Sequence, residues 1–164
     1  MKRFFLGYIG IAVSMFFFVT SCSLDNDCKD CVNPPSSILI KIVDASNSQE
    51  NLISDNIYNS DSIKIWYAEK DGNKTKVDFN LISTGWVQNV IETNIAVCSE
   101  IGEFSNFYVY LNQSDTDTIT IKVIKHSDGC CTSFPLDSIA VNGKSAEWDT
   151  SDYSLLLKKN VEKD

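Results

Sequence analysis

The chain has 164 residues, 14 Lys and Arg against 22 Asp and Glu, a formal net charge of −8 and six cysteines. So acidic a chain is a poor partner for nucleic acid, whose affinity rests on Lys and Arg neutralising phosphates, and anionic headgroups repel it weakly. Its length suits one domain with a real core.

Lys2 and Arg3 precede an uncharged apolar run over residues 4–19, and the small polar pair Thr20-Ser21 stands before Cys22. That order is the layout of a cleaved secretory signal, and the run is on the short side for the roughly 20 residues of a membrane span. Val19-Thr20-Ser21-Cys22 resembles the lipobox of bacterial lipoproteins, in which the cysteine is lipidated and becomes the new N-terminus. Loss of 21 residues leaves 143, and because the lost segment carries Lys2, Arg3 and no acid, the charge moves from −8 to −10. Attachment then has to come from acyl chains. One holds only marginally and stable anchoring takes at least two, which a palmitate-bearing lipoprotein cysteine supplies.

Residues 22–36 (CSLDNDCKDCVNPPS) are polar, acidic and proline-bearing, and read as the lipid cysteine plus a flexible linker. Asp25 and Asp27 behind Cys22 resemble the export signal that sends Bacteroidota lipoproteins to the outer face of the outer membrane. The domain is expected over 37–164.

From there the pattern has a period of two, the mark of half-buried strands. Ile38, Ile40 and Ile42 alternate with Leu39, Lys41 and Val43; Ile63, Ile65 and Tyr67 with Lys64, Trp66 and Ala68; and Val77, Phe79 and Leu81 with Lys76, Asp78 and Asn80. Phe107, Val109 and Leu111 oppose Asn106, Tyr108 and Tyr110, and Ile119, Ile121 and Val123 oppose Thr118, Thr120 and Lys122. Less regular strands are expected over 86–93, 95–99, 136–141 and 153–158. Asp71-Gly72-Asn73 and Asn142-Gly143 read as hairpin turns, and 113–117 as a polar turn. Seven to nine short strands without a helical stripe predict an all-β fold, a single antiparallel β-sandwich of the immunoglobulin-like kind.

With Cys22 lipidated, Cys28, Cys31, Cys98, Cys130 and Cys131 remain, an odd set for an oxidising compartment. Neighbours on a strand point to opposite faces, so only one of Cys130 and Cys131 easily meets Cys98. That bridge is the first expectation, with the other cysteine free to reach back to Cys28 or Cys31. Cys28-Lys29-Asp30-Cys31 is a CxxC, but Val32-Asn33-Pro34-Pro35 after it cannot open the helix a redox motif uses, and the Cys130-Cys131 pair is badly spaced to complete a zinc site.

Candidate chemistry is sparse. His126 is the single histidine, with no nucleophile motif beside it, so no catalytic residue, metal or cofactor is assigned. Asp115 and Asp117 could face a hard cation, but a turn whose short polar side chains bond the backbone before a strand is the preferred reading. Trp66 shares its strand face with Lys64, and Tyr108 and Tyr110 share theirs with Asn106. These three rings are the candidate ligand platform for a glycan or a partner protein, whereas a one-residue shift of face would bury them. Asp61-Ser62-Ile63, Asp117-Thr118-Ile119 and Asp137-Ser138-Ile139 resemble the Bacteroidota O-glycosylation pattern and make Ser62, Thr118 and Ser138 candidate acceptors.

Asp115-Thr116-Asp117-Thr118-Ile119, then Cys130-Cys131, then Asn142-Gly143-Lys144, follow an order similar to that of uncharacterised small lipoproteins of Bacteroidota. The resemblance implies a β-sandwich tethered at the cell envelope and carries over no functional residue except Cys22. The expected function is therefore that of a lipid-anchored, non-enzymatic interaction or accessory module at the outer membrane, exposed at the cell surface. Its partners are the membrane through the anchor and an envelope protein or glycan. Surface glycan binding is the alternative, and an envelope hydrolase the third reading.

Overall fold

Alternating Ile, Val and Thr favour the pleated, half-buried surface of a sheet, and three sheets result. Residues 31–84, 87–128 and 131–161 are those described in this computed structural model. The largest sheet has six strands: β3 (Lys64–Ala68), β4 (Lys74–Val77), β7 (Phe104–Asn112), β8 (Asp115–Val123), β11 (Leu136–Val141) and β12 (Lys144–Ser145), in the order β12-β11-β8-β7-β3-β4. A four-stranded sheet runs β13-β2-β6-β5, from β2 (Ile38–Asp44), β5 (Phe79–Thr84), β6 (Val87–Thr93) and β13 (Leu155–Lys159). The third is small: β1 (Cys31–Asn33), β10 (Cys131–Ser133) and β9 (His126–Asp128). The fold is all-β, with a single 3-10 turn at Ser60–Ser62 and no α-helix among the described residues.

The two larger sheets share one core. Ile40, Ile42, Ile91, Leu155 and Leu157 of the four-stranded sheet cluster with Ile65, Phe107, Val109, Ile119 and Ile121 of the six-stranded one, all fully buried. Burial of β7 and β8 alternates strictly, so every second residue faces away from that core. Asn142 and Gly143, with φ of 51° and 75°, make the tight turn between β11 and β12, a conformation that asparagine and glycine tolerate.

Several expectations change. Val77, Phe79 and Leu81 do not share a strand: the chain turns at Asp78 and passes from the six-stranded sheet to the four-stranded one, Val77 pairing with Ile65 and Phe79 with Thr93. Residues 95–99 form turns, with Val97 and Cys98 both donating to the Asn94 carbonyl. The polar turn at 113–117 is shorter than expected, since β8 begins at Asp115. The sheets are not wholly antiparallel, because β13 runs parallel to β2 and β1 parallel to β10. Cys31–Asn33, read as linker, forms β1. The expected strand start at Trp86 and the leader at 1–21 lie outside the described residues.

Candidate binding surface

The outer face of the six-stranded sheet carries the three rings singled out above. On β3 the buried residue is Ile65, so Lys64 and Trp66 point away from the core; on β7 Phe107 and Val109 are buried, so Phe104, Tyr108 and Tyr110 point the same way. Trp66, Tyr108 and Tyr110 are each half-buried. Register sets them side by side: Lys76, Trp66, Tyr108 and Thr118 form a row across four strands, and Lys64, Tyr110 and Thr116 form the next. Three lysines lie over rings on this face. Lys64 Nζ is 5.7 Å from the Tyr110 ring centre, Lys74 Nζ 5.5 Å from that of Tyr108, and Lys122 Nζ 5.5 Å from that of Phe104, which is 66 % exposed. These are cation–π distances. The lysine caps were not anticipated, although the alternation places each of these lysines on the face of the ring beside it.

Asp115 and Asp117 look the other way, into the protein, and meet a cation belonging to the chain itself. Lys159 Nζ of β13 lies 2.5 Å from Asp115 Oδ1 and 2.6 Å from Asp117 Oδ2. Tyr58 donates its hydroxyl to Asp115 Oδ2 at 2.5 Å, and Asn142 Nδ2 donates to Asp117 Oδ1 at 2.7 Å. Burial, then the bond to Asp115, pushes the Tyr58 phenol well above its ordinary pKa. The pair of carboxylates is thus a tie between the two larger sheets. No cluster of three metal-ligating side chains occurs among the described residues.

A second surface was not legible in advance. Beside the four-stranded sheet is a cleft of about 690 Å³, bordered by Pro35, Leu39, Ile82, Phe134, Trp148 and Tyr153. Tyr153 is 78 % exposed, with φ of 56°, a left-handed conformation that is an outlier for so bulky a residue. The loop that presents it is braced. Lys41 Nζ reaches Asp149 at 2.8 Å and Asp152 at 3.4 Å, Asp149 Oδ1 accepts from Ser151 N and Oγ, and Asp152 Oδ1 accepts from Ser154 N and Oγ. The Lys41 bond, then the Ser151 bonds, hold the Asp149 carboxyl at about 2. Burial alone would lower the Lys41 pKa, but the two aspartates outweigh it and raise it. The only advance signal was a pair of Asp-x-Ser turns, at 149–151 and 152–154, next to aromatic residues.

The remaining candidates separate. Cys98 is an exposed free thiol, so the expected bridge from Cys98 to Cys130 or Cys131 is wrong: Cys98 sits in the turn after Asn94 rather than on a strand facing them. Cys131 is disulfide-bonded, and the ladder sets its Cα opposite that of Cys31. Cys22, Cys28 and Cys130 lie outside the described residues. His126 is exposed on β9. Of the hydroxyl candidates, Ser138 is exposed on β11, Thr118 is half-buried on β8, and Ser62 donates to the Asn59 and Leu111 carbonyls.

No helix among the described residues is long and apolar enough to cross a membrane. No protein-family model matches this sequence, and comparison with the curated proteins and with the solved structures returned no similar chain.

Proposed function

We propose that this chain is a non-enzymatic binding module of the bacterial cell envelope, an outer-membrane lipoprotein held by lipid on Cys22. Its working surface is the outer face of the six-stranded sheet. The observation that carries this reading is the half-exposed set Trp66, Tyr108 and Tyr110, in register on neighbouring strands. Buried rings would have served packing alone; rings in register on an open face offer a flat area that a partner can cover. Glycan capture is the second reading, favoured by the hydroxyl and amide side chains of Asn106, Thr116, Thr118 and Thr120 beside those rings. The accompanying fold reading is an immunoglobulin-like antiparallel β-sandwich, supported by the single core that the six- and four-stranded sheets share.

Cross-linking in intact cells from a photoreactive residue at position 108, followed by mass spectrometry, tests the proposal. The expected outcome is an envelope component attached near position 108 and an N-terminal peptide beginning at lipid-modified Cys22. Recovery of an unprocessed, lipid-free chain beginning at Met1 would overturn the anchor. Attachment of nothing at position 108, while a probe at Lys158 on the other sheet captures a partner, would overturn the choice of face.

A further inference from the structure

We infer that the ligand of this face is an anionic polysaccharide whose sugar rings carry carboxylates, a polyuronate. The inference rests on the proposed function above, and it names the ligand class of that same surface.

The first argument is charge placement. The whole chain carries a net −8, yet the outward strand positions of β3, β4, β7 and β8 include Lys64, Lys74, Lys76 and Lys122 and no acid. Among the described residues, Lys76 and Lys122 meet carboxylates only at 3.5 Å, those of Asp78 and Asp137 at the margins. Lys64 and Lys74 meet no carboxylate within ion-pair distance among the described residues. Screening confines each charge to about 8–10 Å at ordinary salt. A ligand on this face therefore senses the lysines more than the distant acids.

The second argument is that all three cation–π contacts among the described residues lie on this one face. A lysine resting on a ring covers the surface a sugar would stack on. A neutral sugar has to displace it with nothing in return. A carboxylated sugar gives the ammonium a new partner, and the ring it leaves becomes free for stacking. The lysine–ring contact at an exposed site is weak enough to be exchanged in this way. The geometry thus favours a ligand that combines flat apolar ring faces with regularly placed negative charge.

The third argument is shape. The row Lys76-Trp66-Tyr108-Thr118 spans three interstrand steps of about 4.8 Å, about 14 Å in all, a length that several linked sugar rings can lie along. An acidic peptide in extended form would instead add to a sheet edge, where backbone groups are unpaired. On this face only side chains are on offer.

The test is affinity electrophoresis of the full-length protein through gels containing polygalacturonate, the same polymer after reduction of its carboxyls to the neutral polygalactose, or no polymer. The expected result is retardation by polygalacturonate, roughly tenfold weaker with the neutral polymer and declining as salt rises. Changing Lys64, Lys74 and Lys76 together to Gln, or Trp66 to Ala, should weaken retardation by roughly tenfold, while Lys158→Gln on the other sheet leaves it unchanged. The lysines are exposed and Trp66 half-buried on the outer face, and far-ultraviolet circular dichroism of each variant is to match that of the parent before binding is read. Equal retardation by both polymers, lost in Trp66→Ala but not in the lysine variant, would overturn the anionic ligand and leave the binding face standing. Retardation by neither polymer would overturn the glycan, and an acidic protein captured at position 108 would then identify the occupant. Retardation unaffected by any of these variants would overturn both the ligand and the face.

Discussion

The two larger sheets present opposite kinds of outer surface. On the six-stranded sheet, the residues of β3, β4, β7 and β8 facing away from the core are Lys, Thr, Asn, Ala, Trp, Tyr and Phe, half-buried or exposed. On the four-stranded sheet, Val43 and Val90 also face away from the shared core and yet are fully buried, and Leu156 is nearly so. Lys41 on that outer side draws the 149–154 loop toward it through Asp149 and Asp152. One sheet is therefore clothed by its own chain and the other left open. An open aromatic face is where a partner can act, and a clothed one leaves only the cleft at its margin.

The largest expected effect concerns the tie between the sheets. Lys159→Met removes the ammonium from Asp115 and Asp117, leaving carboxylates that are largely out of solvent without their cation. Stability measured by denaturant unfolding should fall by about 3–5 kcal/mol. The contrast between the two outer faces is broken or upheld by a matched pair. Val90→Asn places an amide in a buried apolar position and should cost about 2–4 kcal/mol. Tyr108→Asn on the open face should cost under about 1 kcal/mol. Equal costs for the two would mean that both faces are clothed alike.

The loop that clothes the four-stranded sheet should respond to acid. Asp149 titrates at about 2 when folded and near 3.9 in an unfolded chain. A depressed folded value gives stability that is present above about pH 4 and lost as pH falls toward 2. Because the pair is partly open to water, the loss should stay under about 1 kcal/mol. Lys41 has the opposite sign: its raised pKa gives stability that is complete at neutral pH and disappears only as pH climbs through its folded value. Carboxyl-detected NMR titration should find Asp149 near 2 in the parent protein and moved up toward the ordinary value in Lys41→Met. The smallest effect is chemical. Cys98, an exposed residue, should be alkylated without reductant, slowly at neutral pH because partial desolvation of its sulfur raises the thiol pKa, whereas Cys131 should require reduction first.

The open face was legible in part, because alternation set Trp66, Tyr108 and Tyr110 on one side of their strands, while a one-residue shift of face left open which side is wet. The burial of Ile65, Phe107 and Val109 decides it in favour of the exposed rings. The four-stranded sheet was less legible for the same reason. A strand covered on both sides loses its alternation, and Ile38-Leu39-Ile40, Ile42-Val43 and Leu155-Leu156-Leu157 are near-continuous apolar runs. The corner at Asp78 escaped notice because Val77, Phe79 and Leu81 keep a period of two straight through it, though they serve two sheets. The Trp148–Tyr153 loop depends on Lys41, more than a hundred residues away in the chain, and no local pattern discloses such a partner. Cys98 was misjudged because a turn and a short strand look alike in Ile95-Ala96-Val97-Cys98.

The most direct test of the open face as the working surface is amide chemical-shift mapping of the full-length protein titrated with polygalacturonate oligomers. The account predicts shifts concentrated on β3, β4, β7 and β8 around Trp66, Tyr108 and Tyr110. Shifts confined to the cleft at Leu39, Trp148 and Tyr153, with β3 and β7 unmoved, would contradict it.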